Sequence, residues 1–487
     1  MVFDFLKYFC TLLYIISSVF LCVFGLHRYY LVHLYSRAKA RRGEAPGSGG
    51  PLPRVTVQLP VYNEMYVTER LMRAVCGIDY PRELLEVQVL DDSTDDTSRI
   101  AARCAEELRA AGFDIKHIRR GSREGYKAGA LAAGCAEASG ELLAVFDADF
   151  VPPRDFLRKT VPCFEDPEVG IVQTRWGHLN RDYSLLTKAQ SVLLDGHFVI
   201  EQAARHGNGL FLNFNGTAGV IRKKCIELSG GWQHDTLTED LDLSYRAQIN
   251  GWRAVYLPDV VSDAELPVDM NAFKIQQHRW VKGGIQTALK LLPTVLGAPG
   301  IPFKVKAESV FHLLGNFSYL FLLATIILII PMNFLWERIW LNDLFIASVT
   351  GVAVGTFAII RFYILAVGEA HGSQAREFYK YIPVALSVGA GIAVNNAKAV
   401  LEAVAGRTSG FARTPKYAVV SRKDGWRTSA YVSSKGVTTF FEVILSLFFT
   451  VQVAYVLYMG FFIWIPFLLL MQFGFTYTAF LSIYHSS

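Results

Sequence analysis

The sequence predicts an α/β domain with a largely parallel, doubly wound sheet, set between membrane-spanning helices. Three observations carry that expectation. The chain is 52% hydrophobic with a mean hydropathy of +0.28, yet 19% of its residues are charged. That is too apolar for an ordinary soluble protein and too charged for one wholly in lipid. Residues 8–26, 309–336 and 443–487 hold no Asp, Glu, Lys or Arg, and each is long enough to cross a bilayer. Between residues 54 and 174, strand-like and helix-like stretches alternate at the spacing of βαβ units.

Taken in order, residues 8–26 read as an uncleaved first span within a segment 1–36. Asp4 and a single lysine precede it, and no small-x-small cleavage site follows. Arg28, Arg37, Lys39, Arg41 and Arg42 then put the following domain in the cytosol. Residues 37–53 form a linker, Gly/Pro-rich from 43 onward. The domain 54–266 begins with a strand at 55–59, a helix at 65–76 and a strand at 86–90. A helix at 98–111, a strand at 115–118, a helix at 127–138 and a strand at 142–149 follow, with 169–174 continuing the sheet.

Residues 267–308 change character. Val281, Ile285, Ala288, Leu289, Leu292 and Leu296 share one helical arc, with Lys282, Gln286 and Lys290 off it, as suits a helix on a membrane surface. Segment 309–370 supplies two spans, with Arg361 near enough to one end to snorkel. Residues 381–404 are apolar at first but then carry Asn395, Asn396, Lys398 and Glu402. The loop after them holds Arg407, Arg413, Lys416, Arg422, Lys423, Arg427 and Lys435. Keeping that basic loop cytosolic makes 381–404 an in-plane interfacial helix within segment 371–436. Segment 437–487 adds two spans joined by a turn near 458–465, five in all, with the N-terminus outside and the C-terminus inside. The net charge of +5 and the lack of basic runs interleaved with aromatics give no reason to expect a nucleic-acid partner. Seven scattered cysteines without Cys-x-x-Cys spacing indicate neither a disulfide framework nor a zinc site, and point to a reducing compartment.

The chemistry starts at residues 142–149, Leu-Leu-Ala-Val-Phe-Asp-Ala-Asp. As a strand, this run would turn Asp147 and Asp149 the same way at its carboxyl end, where open α/β sheets bind ligands. Two hard oxygen ligands suit a Mg²⁺ or Mn²⁺ ion that also holds a diphosphate. Further clusters are Asp91-Asp92, residues 125–131, Thr238-Glu239-Asp240, and residues 276–280, which carry Gln276-x-x-Arg279-Trp280. Asp91-Asp92-Ser93-Thr94 also fits turn and helix-cap chemistry, so one of its acids is expected to serve structure alone. Thr236-Leu237-Thr238-Glu239 has capping-box spacing, which would give Glu239 to a helix start and leave Asp240 free.

These clusters, with Val57-Gln58-Leu59-Pro60 and Phe214-Asn215-Gly216-Thr217, resemble the processive membrane members of glycosyltransferase family 2, which include cellulose, chitin and hyaluronan synthases. The pattern is similar above all to the cellulose-synthase-like A and C groups, which make mannan, glucomannan or glucan backbones. The resemblance is dense over residues 55–283 and loose in the membrane half. It implies a GT-A type, Rossmann-like nucleotide-sugar domain inserted between transmembrane helices. It also implies inverting transfer of a hexose from UDP-glucose or GDP-mannose to a growing β-linked glycan, which is extruded. It places the protein in a plasma membrane, of bacterial type, with the catalytic domain in the cytosol.

The resemblance assigns the general base to Asp240 and the metal to Asp147 and Asp149, with Mg²⁺ or Mn²⁺ as cofactor. It gives donor contacts to Tyr62, Glu64, Asp91, Asp92, Lys127, Asp147, Gln276 and Arg279, and acceptor contacts to Trp280, Glu239, Phe214, Asn215, Gly216 and Thr217. Asn215 and Thr217 depart from the Phe-Phe-Cys-Gly-Ser motif of cellulose synthases proper. Phe411-Ala412-Arg413-Thr414-Pro415-Lys416 resembles the Phe-x-Val-Thr-x-Lys gating loop of processive synthases, which adds Thr414 and Lys416 to the donor set. No segment of cyclic-dinucleotide-binding type is seen after this loop, so that mode of control is not expected. The partners expected are a nucleotide sugar, a growing glycan or lipid acceptor, and membrane lipids. A glycolipid glucosyltransferase acting on diacylglycerol or ceramide is the alternative, and a non-catalytic scaffold is disfavoured by the intact acid set. The gating-type loop and five spans favour the polymerase.

Overall fold

The computed structural model describes residues 2–40, 50–335, 343–408, 410–427, 429–434, 436–460 and 462–486. Most of the expected linker, with Arg41 and Arg42, lies outside the described residues, as do Trp336, Lys435 and Phe461 of the expected 458–465 turn. A long first helix, α1 (Val2–Ala40), leads into an eight-stranded mixed sheet. Its strands are β1 (Val55–Val61), β2 (Leu85–Asp91), β3 (Asp114–Arg119), β4 (Leu142–Val145), β5 (Phe150–Val151), β6 (Val169–His178), β7 (Gly219–Arg222) and β8 (Arg253–Ala264). Helices α2 (Thr68–Cys76), α3 (Thr97–Ala110), α4 (Tyr126–Glu137), α5 (Phe156–Thr160), α6 (Leu185–Asp195), α7 (Gln202–Gly207), α8 (Lys223–Leu228) and α9 (Glu239–Ile249) are interleaved with the strands. The strand order is β3-β2-β1-β4-β7-β6-β8-β5.

The expected parallel, doubly wound sheet describes only half of this. β3, β2, β1 and β4 run parallel, but β7 is antiparallel to β4 and β6, and β5 to β8. Strand β4 is also shorter than expected. It ends at Val145, and Phe150 N donates to Asp147 O at 3.1 Å, so Asp147 and Asp149 sit in a turn and not on a pleat.

The central strands are buried throughout, with burial unbroken along β1, β2 and β4, as in parallel sheets covered on both faces. Their buried polar residues pair across the register. Thr56 lies opposite Glu86 and Gln58 opposite Gln88. Gln58 Nε2 donates to Gln88 Oε1 at 3.1 Å. Glu86 accepts from Thr56 Oγ1, Lys116 Nζ, and both the amide and hydroxyl of Ser139. Burial would raise its pKa, but these donors outweigh it and hold the carboxyl at about 2. The stabilisation this gives is full above about 4.5, the ordinary value, and is lost as pH falls toward about 2. Glu86→Gln is expected to cost about 1–3 kcal/mol. It will lower the apparent melting temperature in detergent, with the difference from wild type shrinking in acid. An unchanged melting temperature at neutral pH would refute this account.

The second half of the chain begins with α10 (Met270–Gly297). Then come α11 (Phe303–Leu314), α12 (Phe317–Leu335), α13 (Asp343–His371), α14 (Ala375–Phe378), α15 (Ile382–Gly391), α16 (Ala393–Val404), α17 (Thr438–Met459) and α18 (Ile465–Tyr484). Among the described residues, four helical stretches are long and apolar enough to cross a membrane: 3–40, 343–391, 438–459 and 462–484. Helix α11 and the first part of α12, bent by 56°, form a fifth candidate. Glycines set two close crossings. A Cβ on Gly25 of α1 would lie 2.6 Å from Gly355 Cα of α13, and one on Gly474 of α18 would lie 2.1 Å from Ser387 O of α15.

The two expected surface helices pack against each other, each burying part of its surface in protein. The polar residues of α16 meet α10: Asn395 Nδ2 donates to Lys274 O at 2.9 Å, and Glu402 lies 3.1 Å from both Lys282 and His278. Lys282, expected on the wet face of α10, is fully buried by that pairing. Val281 and Ile285 pack against Val400 and Ala403, while Leu289 and Leu296 stay exposed. Gly283 lets α10 close on α9, because a Cβ there would lie 2.5 Å from Thr238 Cγ2. The seven cysteines are free thiols.

Candidate active site

A cavity opens at the carboxyl edge of β1, β2 and β4, beside the point where the strand order reverses. Pro60 and Val61 at the end of β1 line it with Tyr62 and Glu64 after it, Leu90 at the end of β2 with Asp92 after it, and Asp147 and Asp149 after β4. Arg123, Lys127 and Ala130 come from α4 and its approach, and Arg279 from α10. Phe411, Arg413, Thr414 and Lys416 close the top. Five cations therefore face four carboxylates.

The entry to α4 is shaped by backbone conformation. Gly125 (φ 70°) and Tyr126 (φ 50°) are both left-handed, which turns the chain so that α4 starts at the cavity with Lys127 in its first turn. The Lys127 ammonium reaches Asp147 Oδ1 at 2.6 Å, Gly216 O at 3.0 Å and Glu239 Oε1 at 3.7 Å. Burial alone would lower its pKa, but Asp147, then Glu239 and Asp240, outweigh that and raise it. Lys416 Nζ lies 2.5 Å from Asp149 Oδ2. Arg413 stands 3.8 Å from Glu64, whose pKa is pushed up to about 7 by burial.

Four buried atoms on these walls have no hydrogen-bond partner among the described residues: Arg123 Nε, Arg279 Nε, Arg413 Nη1 and Thr414 Oγ1. Buried donors are ordinarily satisfied, and these four can serve an acceptor-rich ligand. Aromatic faces hold the cations in place. Arg123 lies 3.3 Å over Tyr62 and 4.9 Å over Tyr126, and Arg279 lies 4.8 Å over Phe411, which stacks on Tyr126 at 5.9 Å.

Asp240 sits behind Lys127 at the start of α9. Its Oδ1 accepts from Leu241 N at 2.8 Å, and burial, then Glu239, raise its pKa to about 7 against the pull of Lys127 and Arg279. Gly216 (φ 77°) is needed on two counts, since a Cβ there would also lie 2.6 Å from Asp240 Oδ2. The neighbouring residues fix that loop. Thr217 Oγ1 accepts from Asp147 N at 2.9 Å, Asn215 is held by Gln173, Gln202 and His197, and Phe214 is buried beneath. Trp280 is half-buried, with its ring 6.3 Å from Trp176.

Two expectations need correction. Asp91 does not line the cavity: it is buried and accepts from Ser93 N at 2.8 Å and His117 Nε2 at 2.9 Å. Burial would raise its pKa, yet those bonds hold it at about 2. Asp92 alone of the pair faces the cavity, gripped by both nitrogens of an Arg120 fork. The capping box is also absent. Thr238, not Thr236, precedes α9, with no side-chain cap bond, so Glu239 is turned to Lys127. Gln276, Trp280, Glu239, Asp240 and residues 214–217 are not on the cavity wall itself. Gln276 is half-buried one turn before Arg279 and Trp280 on α10.

Arg120 and Arg123 fall in none of the sequence motifs above, although their place between β3 and Gly125 puts two cations next to Lys127. The donor set fits a divalent cation. Asp147 and Asp149 are hard carboxylates beside the anion site, and Mg²⁺-type ions are commonly held by one or two carboxylates plus phosphate oxygens. Among the described residues, no group of three or more His, Cys, Asp or Glu could hold a metal without such a co-ligand.

Residues 53–283 match the family described as Glycosyltransferase like family 2. The chain is 41% identical over 274 residues to the probable glucomannan 4-beta-mannosyltransferase 7 of Oryza sativa subsp. japonica, covering 55% of this chain and 46% of that protein. It is 40% identical over 270 residues to glucomannan 4-beta-mannosyltransferase 1 of the same species, covering 54% and 51%. It thus spans about half the length of the curated relatives it matches. A mannosyltransferase from Pyrobaculum calidifontis, solved in complex with GDP-Man and Mn²⁺, shares the fold. Its TM-score is 0.57 at 21% identity, over 81% of this chain and all of that one.

Proposed function

We propose, for a chain whose residues 53–283 are a family 2 glycosyltransferase domain, transfer of a hexose from a nucleotide sugar to a growing β-linked glycan, with inversion. The observation that carries this reading is the set of four buried donors without a hydrogen bond that line the cavity, next to the Asp147–Asp149 turn. A nucleoside diphosphate supplies the acceptor oxygens those donors lack. Arg279, Arg413, Thr414 and Lys416 grip the diphosphate from the roof and Lys127 from below. Tyr62, Glu64 and Asp92 meet the nucleoside. Asp147 and Asp149 would hold Mg²⁺ or Mn²⁺, which when bound neutralises charge on the leaving diphosphate.

Asp240 takes the proton of the acceptor hydroxyl as the new bond forms. Its burial favours that role, since a base with a pKa near the working pH transfers protons best. Lys127 stands between the two functions, touching Asp147 on one side and Glu239 on the other. Trp280 offers its face to the acceptor sugar, and residues 214–217 shape that side. The names of the rice relatives favour mannose from GDP-mannose, with UDP-glucose as the second donor to test. The basic residues after the apolar part of α1 favour a cytosolic domain, with the polymer leaving through the spans.

The test is to incubate the chain in lipid with labelled GDP-mannose, UDP-glucose and other nucleotide sugars. Polymer cleaved by a linkage-specific mannanase or glucanase is expected. A single sugar extracted with lipid would overturn the polymerase reading. The two acids after β2 should separate in the same assay. Asp92→Ala is expected to raise KM for the donor about tenfold or more. Asp91→Ala should instead lower the melting temperature, because it frees the Ser93 amide and His117 in the interior. The reverse pattern would refute this division of roles.

A further inference from the structure

A second cavity, which the transfer reaction does not use, lies where α1 leaves the membrane side of the molecule. It is lined by Tyr30, Leu34 and Arg37 of α1, by the turn after α7, and by Lys304 of α11. Tyr30, Leu34 and Arg37 fall at i, i+4 and i+7, which is one stripe of the helix. Helical side chains lean toward the helix N-terminus, so Arg37 is directed back along the stripe toward Tyr30, about 10 Å away along the axis.

The floor of this cavity is firmly built. Asn208 Nδ2 donates to Leu34 O at 3.0 Å and to Ala204 O at 2.8 Å, tying the turn to both α1 and α7. Gly207 lies so close to α1 that a Cβ there would be 2.3 Å from Ala38 Cβ. Lys304 Nζ donates to Asn208 O at 3.0 Å and keeps two further N–H donors. The walls hold two cations and no acid. The other cations of this part of α1 are engaged, Lys39 with Glu369 and Arg28 with Glu201, whereas Arg37 makes no ion pair among the described residues.

The level of the cavity is set by its apolar surroundings. Exposed apolar side chains run along α1 from Phe3 to Leu26 and end at Tyr29 and Tyr30, both at least 40% exposed. On α11, Phe303, 84% exposed, directly precedes the wall residue Lys304. Aromatic rings at the end of an apolar band mark the headgroup layer, and basic side chains just beyond it meet lipid phosphates.

We propose that this cavity binds the phosphate of an anionic phospholipid, in the leaflet nearer the α/β domain. Arg37 and Lys304 pair with the phosphate, while Tyr30 and Phe303 flank the glycerol and the start of the acyl chains. A lipid here touches α1, α7 and α11 together and seats the first span against the domain.

The test compares the full chain, wild type and Arg37→Gln/Lys304→Gln, in nanodiscs of phosphatidylcholine with and without phosphatidylglycerol. Anionic lipid retained on extraction into detergent is counted by native mass spectrometry. Arg376→Gln, at another exposed basic position, serves as the charge control. The double variant is expected to retain about tenfold less phosphatidylglycerol, with the control unchanged and both variants melting like wild type. Equal retention by all three proteins would overturn the site. So would equal loss in the control, which would indicate attraction by charge alone. Displacement of the bound lipid by excess inorganic phosphate would assign the cavity to a free anion and overturn the lipid reading. A double variant that melts early is replaced by Arg37→Lys/Lys304→Arg, which keeps the charges and should restore retention. Failure of that variant to retain lipid would also count against the proposal.

Discussion

Asp240→Asn will lower turnover by about 10³-fold while leaving donor affinity nearly unchanged. Asparagine keeps the shape of the side chain and the acceptor for Leu241 N, so the contact with Gly216 and the start of α9 survive. What is lost is the capacity to take a proton. Donor affinity is spared because Asp240 lies behind Lys127, off the wall of the cavity. The pH profile adds an independent check. The base works only when ionised, and its pKa stands at about 7 through burial and the nearby charge of Glu239. Turnover should therefore climb as pH rises through about 7 and flatten above it. Glu239→Gln removes the neighbouring negative charge and should move that acid limb to lower pH. Retained turnover in Asp240→Asn, measured with saturating donor, would remove Asp240 from the role of base. A limb that stays put in Glu239→Gln would sink the electrostatic account of its pKa.

What could be read in the sequence follows from the range of the forces involved. The strands β1 and β2 and the helices α3 and α4 are set by local apolar periodicity, and their expected bounds shift by only a residue or two. The antiparallel half was hidden because β7, four residues long, carries no period of its own and is defined by pairing with β4 and β6. Asp147 and Asp149 could be named from their spacing, but the turn that holds them depends on the Thr217 hydroxyl, 70 residues away, meeting Asp147 N. The choice between Asp91 and Asp92 depends on which one His117 reaches from β3. Lys282 shows the same limit on the membrane side. Helical position marks it as a wet residue, and the approach of Glu402, from a helix 120 residues away, helps make its burial tolerable. Arg123 is placed by rings at Tyr62 and Tyr126, a contact that no sequence pattern announces.

Lys416→Gln will cut turnover by about 10²-fold, yet tighten the binding of free Mn²⁺. The two effects run in opposite directions for one reason. Without donor, the Asp147 and Asp149 carboxylates are neutralised by ammonium groups, Lys127 on the first and Lys416 on the second. A cation seeking both carboxylates has to displace Lys416 from Asp149, so removing that ammonium eases metal entry. In the transfer reaction the same ammonium is needed on the diphosphate, close to Thr414 and Arg279, where negative charge develops as the leaving group departs. Chelation of divalent cations should abolish transfer by the wild type and by the variant alike, with Mn²⁺ or Mg²⁺ restoring each. Asp149→Asn should lose metal affinity along with turnover, because it removes a ligand where Lys416→Gln removes a competitor. Titration of Mn²⁺ followed by paramagnetic resonance separates the cases without relying on activity. If Lys416→Gln binds Mn²⁺ no better than wild type, Lys416 does not compete with the metal for Asp149. If chelated enzyme transfers at the full rate, the two aspartates hold no metal that the reaction requires, and the lysines and arginines of the cavity carry the diphosphate charge.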